Sequence, residues 1–291
     1  MGMLYLIIAT LSWSLVGVLV KTAALQFDAY TITFARFSIG VLALAAILVL
    51  SRKSLRPAAV NRWIWIGAAG KCVNYLLENV GVSIGYAYGN ILVQPTQTIV
   101  LLLISVMIFK EKLTLKSAVS AAIVLIGVVL ISWNGRPLGE LFGEQGWISL
   151  LFIISGIGAG LHLLAQKMLL DAMNDVSMNY SMFFWASLIT MMPLPFEAGW
   201  SPAFVPGAWA AALALGLITG ISFLLSSKAM RTVKFSVAVI VSNLAVLFTI
   251  MWAEIFYREP ITNFIITGTV IVVFGMTLLN WPSRSAKPSA G

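Results

Sequence analysis

The sequence predicts an all-α membrane protein: ten transmembrane helices built as two inverted five-helix repeats, with N- and C-termini cytoplasmic. Three observations point there. Hydrophobic residues make up 60% of the 291 positions and charged residues only 10%, against about 25% charged in a soluble domain. Mean hydropathy is +0.98, so lipid must be the solvent for much of this surface. The two halves of the chain also match each other at a nearly constant offset.

A spanning helix needs about 20 predominantly apolar residues. The qualifying runs are Met3–Thr22, Tyr30–Leu50, Arg62–Gly85, Tyr86–Phe109, Leu113–Trp133, Trp147–Met168, Met178–Phe196, Val205–Ala229, Lys234–Phe256 and Ile261–Trp281. They are continuous, unlike the alternating strands of about 10 residues in a membrane β-barrel. Met3–Thr22 lacks the basic flank that precedes a cleaved signal and reads as a retained helix. The breaks between runs carry turn or charge signals, among them Lys110-Glu111-Lys112, Asn134-Gly135-Arg136-Pro137 and Arg258-Glu259-Pro260.

Glu111-Lys112-Leu113-Thr114 aligns with Glu259-Pro260-Ile261-Thr262 at an offset of 148, and the same offset brings Gly127 onto Gly275 and Trp133 onto Trp281. Lys21 meets Lys167 at an offset of 146. The repeats are therefore read as 1–135 and 146–281, with 282–291 as a cytoplasmic tail. Five helices is an odd number, so the second copy enters the membrane upside down. Inverted repeats support alternating access, with the solute site between them near the midplane.

With a cytoplasmic N-terminus, thirteen basic residues fall on the cytoplasmic side (Arg52, Lys53, Arg56, Arg62, Lys110, Lys112, Lys116, Lys167, Lys228, Arg231, Lys234, Arg284, Lys287) and three on the other (Lys21, Arg136, Arg258). This is the positive-inside pattern. It accounts for the net charge of +8 without a nucleic-acid partner. One cysteine, Cys72, and one histidine, His162, exclude a disulfide framework and a histidine–cysteine metal site. No phosphate-binding loop or catalytic constellation is present, so neither an enzyme nor an ATP-driven pump is expected, and no cofactor or metal.

Polar groups in hydrocarbon are costly, so stripes of them mark a seam between helices or a cavity. Residues at i, i+3, i+4 and i+7 share one helical face. The third run carries Lys71, Asn74, Tyr75 and Glu78 in that spacing, with Asn79 at its edge. Lys71 and Glu78 are about 10.5 Å apart along the axis, too far for a tight pair unless fully stretched. Arg36, at a depth similar to Glu78, is its expected structural partner. The fourth run presents the amides Asn90, Gln94 and Gln97, with Pro95 as a mid-helix hinge. The sixth aligns Ser155, Ala159, His162 and Gln166, and the first Thr10, Trp13, Ser14, Gly17 and Lys21. Ser222 lies on a milder stripe in the eighth, Asn243 is the polar residue of the ninth, and Trp185 is deep in the seventh. A lone buried histidine reads first as a neutral hydrogen-bonded ring, with proton carriage as the alternative. The expected cavity wall is Trp13, Ser14, Lys71, Asn74, Tyr75, Glu78, Asn79, Asn90, Gln94, Gln97, His162, Gln166, Trp185, Ser222 and Asn243.

Ten helices, the five-plus-five repeat and a basic-Glu turn before the last helix of each half resemble the drug/metabolite transporter superfamily, EamA type, over Met3 to Trp281. Arg36-Phe37 and Pro95 are similar to that family's Arg-Phe pair and fourth-helix proline; the ninth run departs in having no proline. Ser83-Ile84-Gly85-Tyr86-Ala87 followed by an amide-rich helix resembles the bacterial aromatic amino-acid exporters. The resemblance implies a multi-pass protein of the bacterial inner membrane, a monomer or homodimer, exporting aromatic and other neutral amino acids. It also implies a cavity lined by helices 1, 3, 4, 6, 8 and 9. A proton-coupled exporter of cationic drugs or other small metabolites, with Glu78 as counter-ion, is the second expectation.

Overall fold

The computed structural model describes residues 1–107, 110, 114–135, 144–194, 199, 201, 203–233, 238, 241–242 and 244–281. Among them the chain is all-helical. The elements are α1 (Gly2–Ser14), α2 (Val16–Ala23), α3 (Ala29–Leu50), α4 (Arg62–Ile84), a 3₁₀ segment η1 (Ala87–Leu92), α5 (Val93–Met107), α6 (Leu115–Trp133), α7 (Glu144–Leu169), α8 (Asp175–Met191), α9 (Pro206–Met230), α10 (Ala245–Tyr257) and α11 (Asn263–Asn280). Six described helical stretches are long and apolar enough to span a membrane, α1 and α2 together forming the first. The chain is a multi-pass membrane protein whose outer faces are aliphatic: Leu42, Ile126, Val129 and Val270 are each about 60% exposed or more, a belt that water would not tolerate.

Capping side chains mark where helices begin. Asp28, Asn61, Thr114, Asn174 and Thr262 each accept a backbone N–H of the first turn, satisfying donors that a helix start leaves unpaired. Pro206 opens α9 at a position where its missing N–H costs nothing.

Two of the expected continuous runs are broken. The first splits at Leu15. Ser12 and Ser14 donate their hydroxyls back to Ile8 O and Leu11 O at 2.8 and 2.7 Å, a local bond that bends helices. The fourth begins as η1 and becomes α-helical only at Val93. Pro95, expected as a mid-helix hinge, is instead the third residue of α5, just after η1, and has no N–H to donate to the 3₁₀ segment before it. In the ninth run residues 238 and 241–242 are helical, 244 is a turn, and α10 begins at Ala245. Glu111, Lys112, Lys234, Asn243 and the tail from Pro282 lie outside the described residues.

Helix pairs pack through small residues. The α4–α7 seam brings backbones together at Gly70 and Gly158: a Cβ on Gly158 would lie 2.4 Å from Gly70 O, and one on Gly70 would lie 2.8 Å from Gly158 O. α3 packs between α8 and α9, and α6 pairs with α11. In the latter pair a Cβ on Gly127 would meet Gly268 O at 2.8 Å, and one on Gly275 would meet Ser120 O at 3.1 Å. Adding 148 to 127 and subtracting it from 268 turns the first contact into the second. Ile131 meets Gly268 while Val124 meets Gly275, so the two helices run antiparallel. The matched turns agree as well. Lys110 and Arg258, 148 apart, both take left-handed backbone at φ 54° and 49°, and Thr114 and Thr262 cap the helices that follow.

The α6–α11 seam yields a prediction. Gly268→Val places methyl groups against Ile131 and Gly127 O, and overpacking of this kind costs about 1–3 kcal/mol. A drop of several degrees in melting temperature, read by thermal denaturation of detergent-purified protein, is expected; an unchanged midpoint would show that the seam yields.

Candidate functional site

α4 is the spine of the site. Its polar face carries Lys71, Asn74, Tyr75 and Glu78, all less than a tenth exposed, and the other helices close over that face. Between them lies a cavity of about 1040 Å³, open mouth included. Its wall is drawn from both halves of the chain: Trp13, Arg36, the four α4 side chains, Asn90, Gln94 and Gln97 from the first, and His162, Gln166, Phe223, Ser226 and Thr249 from the second.

At one end sits a buried charge pair. Arg36 Nη1 lies 3.4 Å from Glu78 Oε2 and donates to Asn79 Oδ1 at 2.8 Å, while its guanidinium covers the Tyr75 ring at 3.4 Å. Asn79 Nδ2 donates on to Thr33 Oγ1 at 2.8 Å. Asn90 Nδ2 reaches the other carboxylate oxygen of Glu78 at 3.4 Å. Glu78 is therefore held from both sides, and the expected Arg36–Glu78 tie is present.

Further along the cavity, Lys71 Nζ donates to Asn74 Oδ1 at 2.6 Å and lies over the rings of Tyr75 and Phe223 at 4.3 and 4.4 Å. Asn74 is fixed in turn by Ser155, which accepts from Nδ2 and donates to the Asn74 carbonyl. Tyr75 bonds Thr219 at 3.1 Å and stacks on Phe37. His162 Nδ1 faces Gly67 O at 2.9 Å. A carbonyl can only accept, so Nδ1 carries a proton, and Nε2 has no partner among the described residues. Gln166 donates to Asn179, which donates to Ser227.

Ten of the sequence-expected wall residues line this cavity: Trp13, Lys71, Asn74, Tyr75, Glu78, Asn90, Gln94, Gln97, His162 and Gln166. Four others are placed elsewhere. Ser14 turns its hydroxyl to Leu11 O and accepts from Trp252 Nε1. Asn79 is fully buried between Arg36 and Thr33. Trp185 points toward the Ala58 carbonyl and packs on Trp65. Ser222 is buried off the wall. Ser14, Asn79 and Ser222 share helical segments with the cavity but are turned to a seam, whereas Trp185 lies on α8, which adds no residue to the described wall.

Sequence reasoning missed two residues. Phe223 is an aromatic hub, with ring centroids 5.0 Å from Trp13, 5.2 Å from His162 and 5.5 Å from Phe183. Its only signal was its place next to Ser222 on the milder stripe of the eighth run. Glu259 served as a repeat marker, yet its side chain is 3% exposed and pairs with Lys21. Its two oxygens also accept from the N–H groups of Ala87 and Tyr88 at 2.8 and 3.3 Å, at the start of η1. Lys21 also donates to Gly85 O at 3.2 Å and lies over Tyr86 and Tyr257. Lys21, Glu259 and their partners do not line the cavity; they tie the chain together beyond the Arg36–Glu78 end, while Met230 and Ala238 lie at the other.

Removing one partner of a buried ion pair costs about 3–5 kcal/mol, whereas replacing both with apolar groups is often neutral. Arg36→Met is thus expected to lower thermal stability strongly, and Arg36→Met with Glu78→Met to recover most of the loss. Additive losses in the double variant would deny the pairing.

Comparison with known proteins agrees with this architecture. A crystal structure superposes on 99% of this chain, and on 99% of its own, with a TM-score of 0.70 at 16% identity, which shows the fold. An uncharacterized transporter of Haemophilus influenzae is 25% identical over 294 aligned positions, covering 96% of this chain and 94% of that protein. The EamA-like transporter family model matches residues 1–133 and 146–281, and the chain belongs to that family: it is a multi-pass membrane transporter.

Proposed function

We propose that the protein exports neutral and aromatic amino acids across the bacterial inner membrane. The observation that carries this reading is the character of the cavity wall. Aromatic faces from Trp13, Tyr75 and Phe223 stand beside the uncharged amides Asn74, Asn90, Gln94 and Gln97. Such a wall suits a zwitterion with an apolar side chain. Glu78, the only acidic side chain among the described wall residues, is engaged by Arg36 and Asn90. A cationic drug would have to displace that pair, so the cationic reading loses its counter-ion.

Alternating access is the mechanism this arrangement supports. The exchange of contacts between α6 and α11 under the 148-residue offset, with the helices antiparallel, is what a two-fold axis in the membrane plane requires. The halves are then inverted copies, and the cavity lies where they meet. The Lys21–Glu259 clamp closes the outer end, and the cavity extends toward Met230 and the cytoplasm. No acid among the described wall residues is left to carry a proton freely, which favours facilitated movement down the solute gradient.

Efflux of labelled phenylalanine, threonine and lysine from proteoliposomes, with and without an imposed pH gradient, tests the reading. Protein-dependent release of phenylalanine without a gradient is expected. Release of none of the three in either condition would reject amino-acid export. For the clamp, Glu259→Gln in a Cys72→Ser, Asn90→Cys background is expected to raise labelling by an impermeant maleimide from the outer side severalfold. Unchanged labelling would show that the clamp is not the gate.

A further inference from the structure

We propose that the Lys71 ammonium, with the Trp13 indole N–H across the same Phe223 ring, is the seat of the substrate's carboxylate. The protein on this inference selects solutes that carry a free carboxylate. It rests on the amino-acid reading above and sharpens it.

Three charged side chains line the described cavity wall: Arg36, Lys71 and Glu78. Arg36 and Glu78 face each other. Lys71 has no carboxylate within 4 Å among the described residues. One of its three N–H donors goes to Asn74, and its other close neighbours are two ring faces, which attract a cation but accept no conventional hydrogen bond. The described wall therefore holds one positive charge in excess, at a depth where an unpaired charge is expensive. An anionic group that enters the cavity would pair that charge.

Buried unpartnered atoms on the wall supply both donors and acceptors for an amino acid's polar groups. Trp13 Nε1 is buried with no acceptor among the described residues, and its ring lies 5.0 Å from Phe223, the ring that Lys71 also covers. Trp13 and Lys71 thus both lie against one ring of the wall. His162 Nε2 and Asn90 Oδ1 are likewise buried without partners. The first is a lone-pair acceptor in the Nδ1–H tautomer and the second an acceptor in any state, as an ammonium group requires. Buried polar atoms without partners are uncommon in native proteins. Four belong to residues on the wall of one cavity, Arg36 Nε being the fourth, and donors and acceptors are both represented, as the two ends of an amino acid's polar head require.

Binding to detergent-purified protein, read by intrinsic tryptophan fluorescence, tests this with three probes: phenylalanine, 3-phenylpropionate, which lacks the amine, and phenethylamine, which lacks the carboxylate. The wild type is expected to bind both acids, and phenethylamine at least about tenfold more weakly, as loss of a hydrogen-bonded charge implies. Lys71→Gln is expected to weaken both acids about tenfold or more by the same reasoning, and Trp13→Phe to weaken them less. Equal phenylalanine binding by wild type and Lys71→Gln would overturn the carboxylate seat while leaving amino-acid export intact. A wild type that prefers phenethylamine to both acids would overturn the two together. That probe comparison needs no variant, so it decides even if Lys71→Gln fails to fold.

Discussion

A membrane helix cannot leave two charges, an amide and a phenol on one face in contact with hydrocarbon. α4 does carry them, as Lys71, Asn74, Tyr75 and Glu78, and much of the bundle follows from covering that face. Arg36 brings α3 to Glu78, Ser155 brings α7 to Asn74, and Thr219 brings α9 to Tyr75. Each bond spans from 42 to 144 residues of sequence. Polar satisfaction on one helix thereby sets which helices neighbour it, and glycines such as Gly70 and Gly158 let the backbones come close enough for the bonds to form. The space that the covering leaves open is the cavity.

Lipid reverses the usual relation between surface and core. The apolar belt on the outer faces contributes little to specific packing, because acyl chains solvate it as well as neighbouring leucines do. Specificity falls to small-residue seams and buried polar bonds. This explains why the charge pair Arg36–Glu78 and the clamp Lys21–Glu259 are both found where several segments meet. Each joins elements that hydrophobic burial alone would leave free to slide.

The existence and order of the helices were legible because the apolar runs are long and the breaks carry charge. The 148-residue match pairs Thr114 with Thr262 and Lys110 with Arg258, and each pair shares its local geometry, a cap in the first case and a left-handed turn in the second. Helix interiors were less legible. Leu15 and η1 interrupt runs that look continuous, because hydroxyl back-bonding and 3₁₀ winding leave no trace in hydropathy. Ten wall residues were readable from helical spacing. Asn79, Ser14 and Ser222 were not separable from them, since their helices turn a polar side chain to a seam as readily as to the cavity, and Trp185 lies on α8, which adds nothing to the described wall. Glu259 was hidden for another reason: its partner Lys21 is 238 residues away, and no periodicity reports a contact of that range.

The 3₁₀ segment η1 ties two parts of the molecule together. At its start, the Ala87 and Tyr88 amides hold Glu259; near its end, Asn90 touches Glu78 on the cavity wall. Six residues wound as 3₁₀ rise about 12 Å, and the same six as α-helix about 9 Å. Rewinding these two turns as α-helix would shorten the connection by about 3 Å and rotate Asn90 relative to the clamp. One short piece of backbone, whose pitch sets its length, thus spans from the residues that hold Glu259 to the polar wall of the cavity.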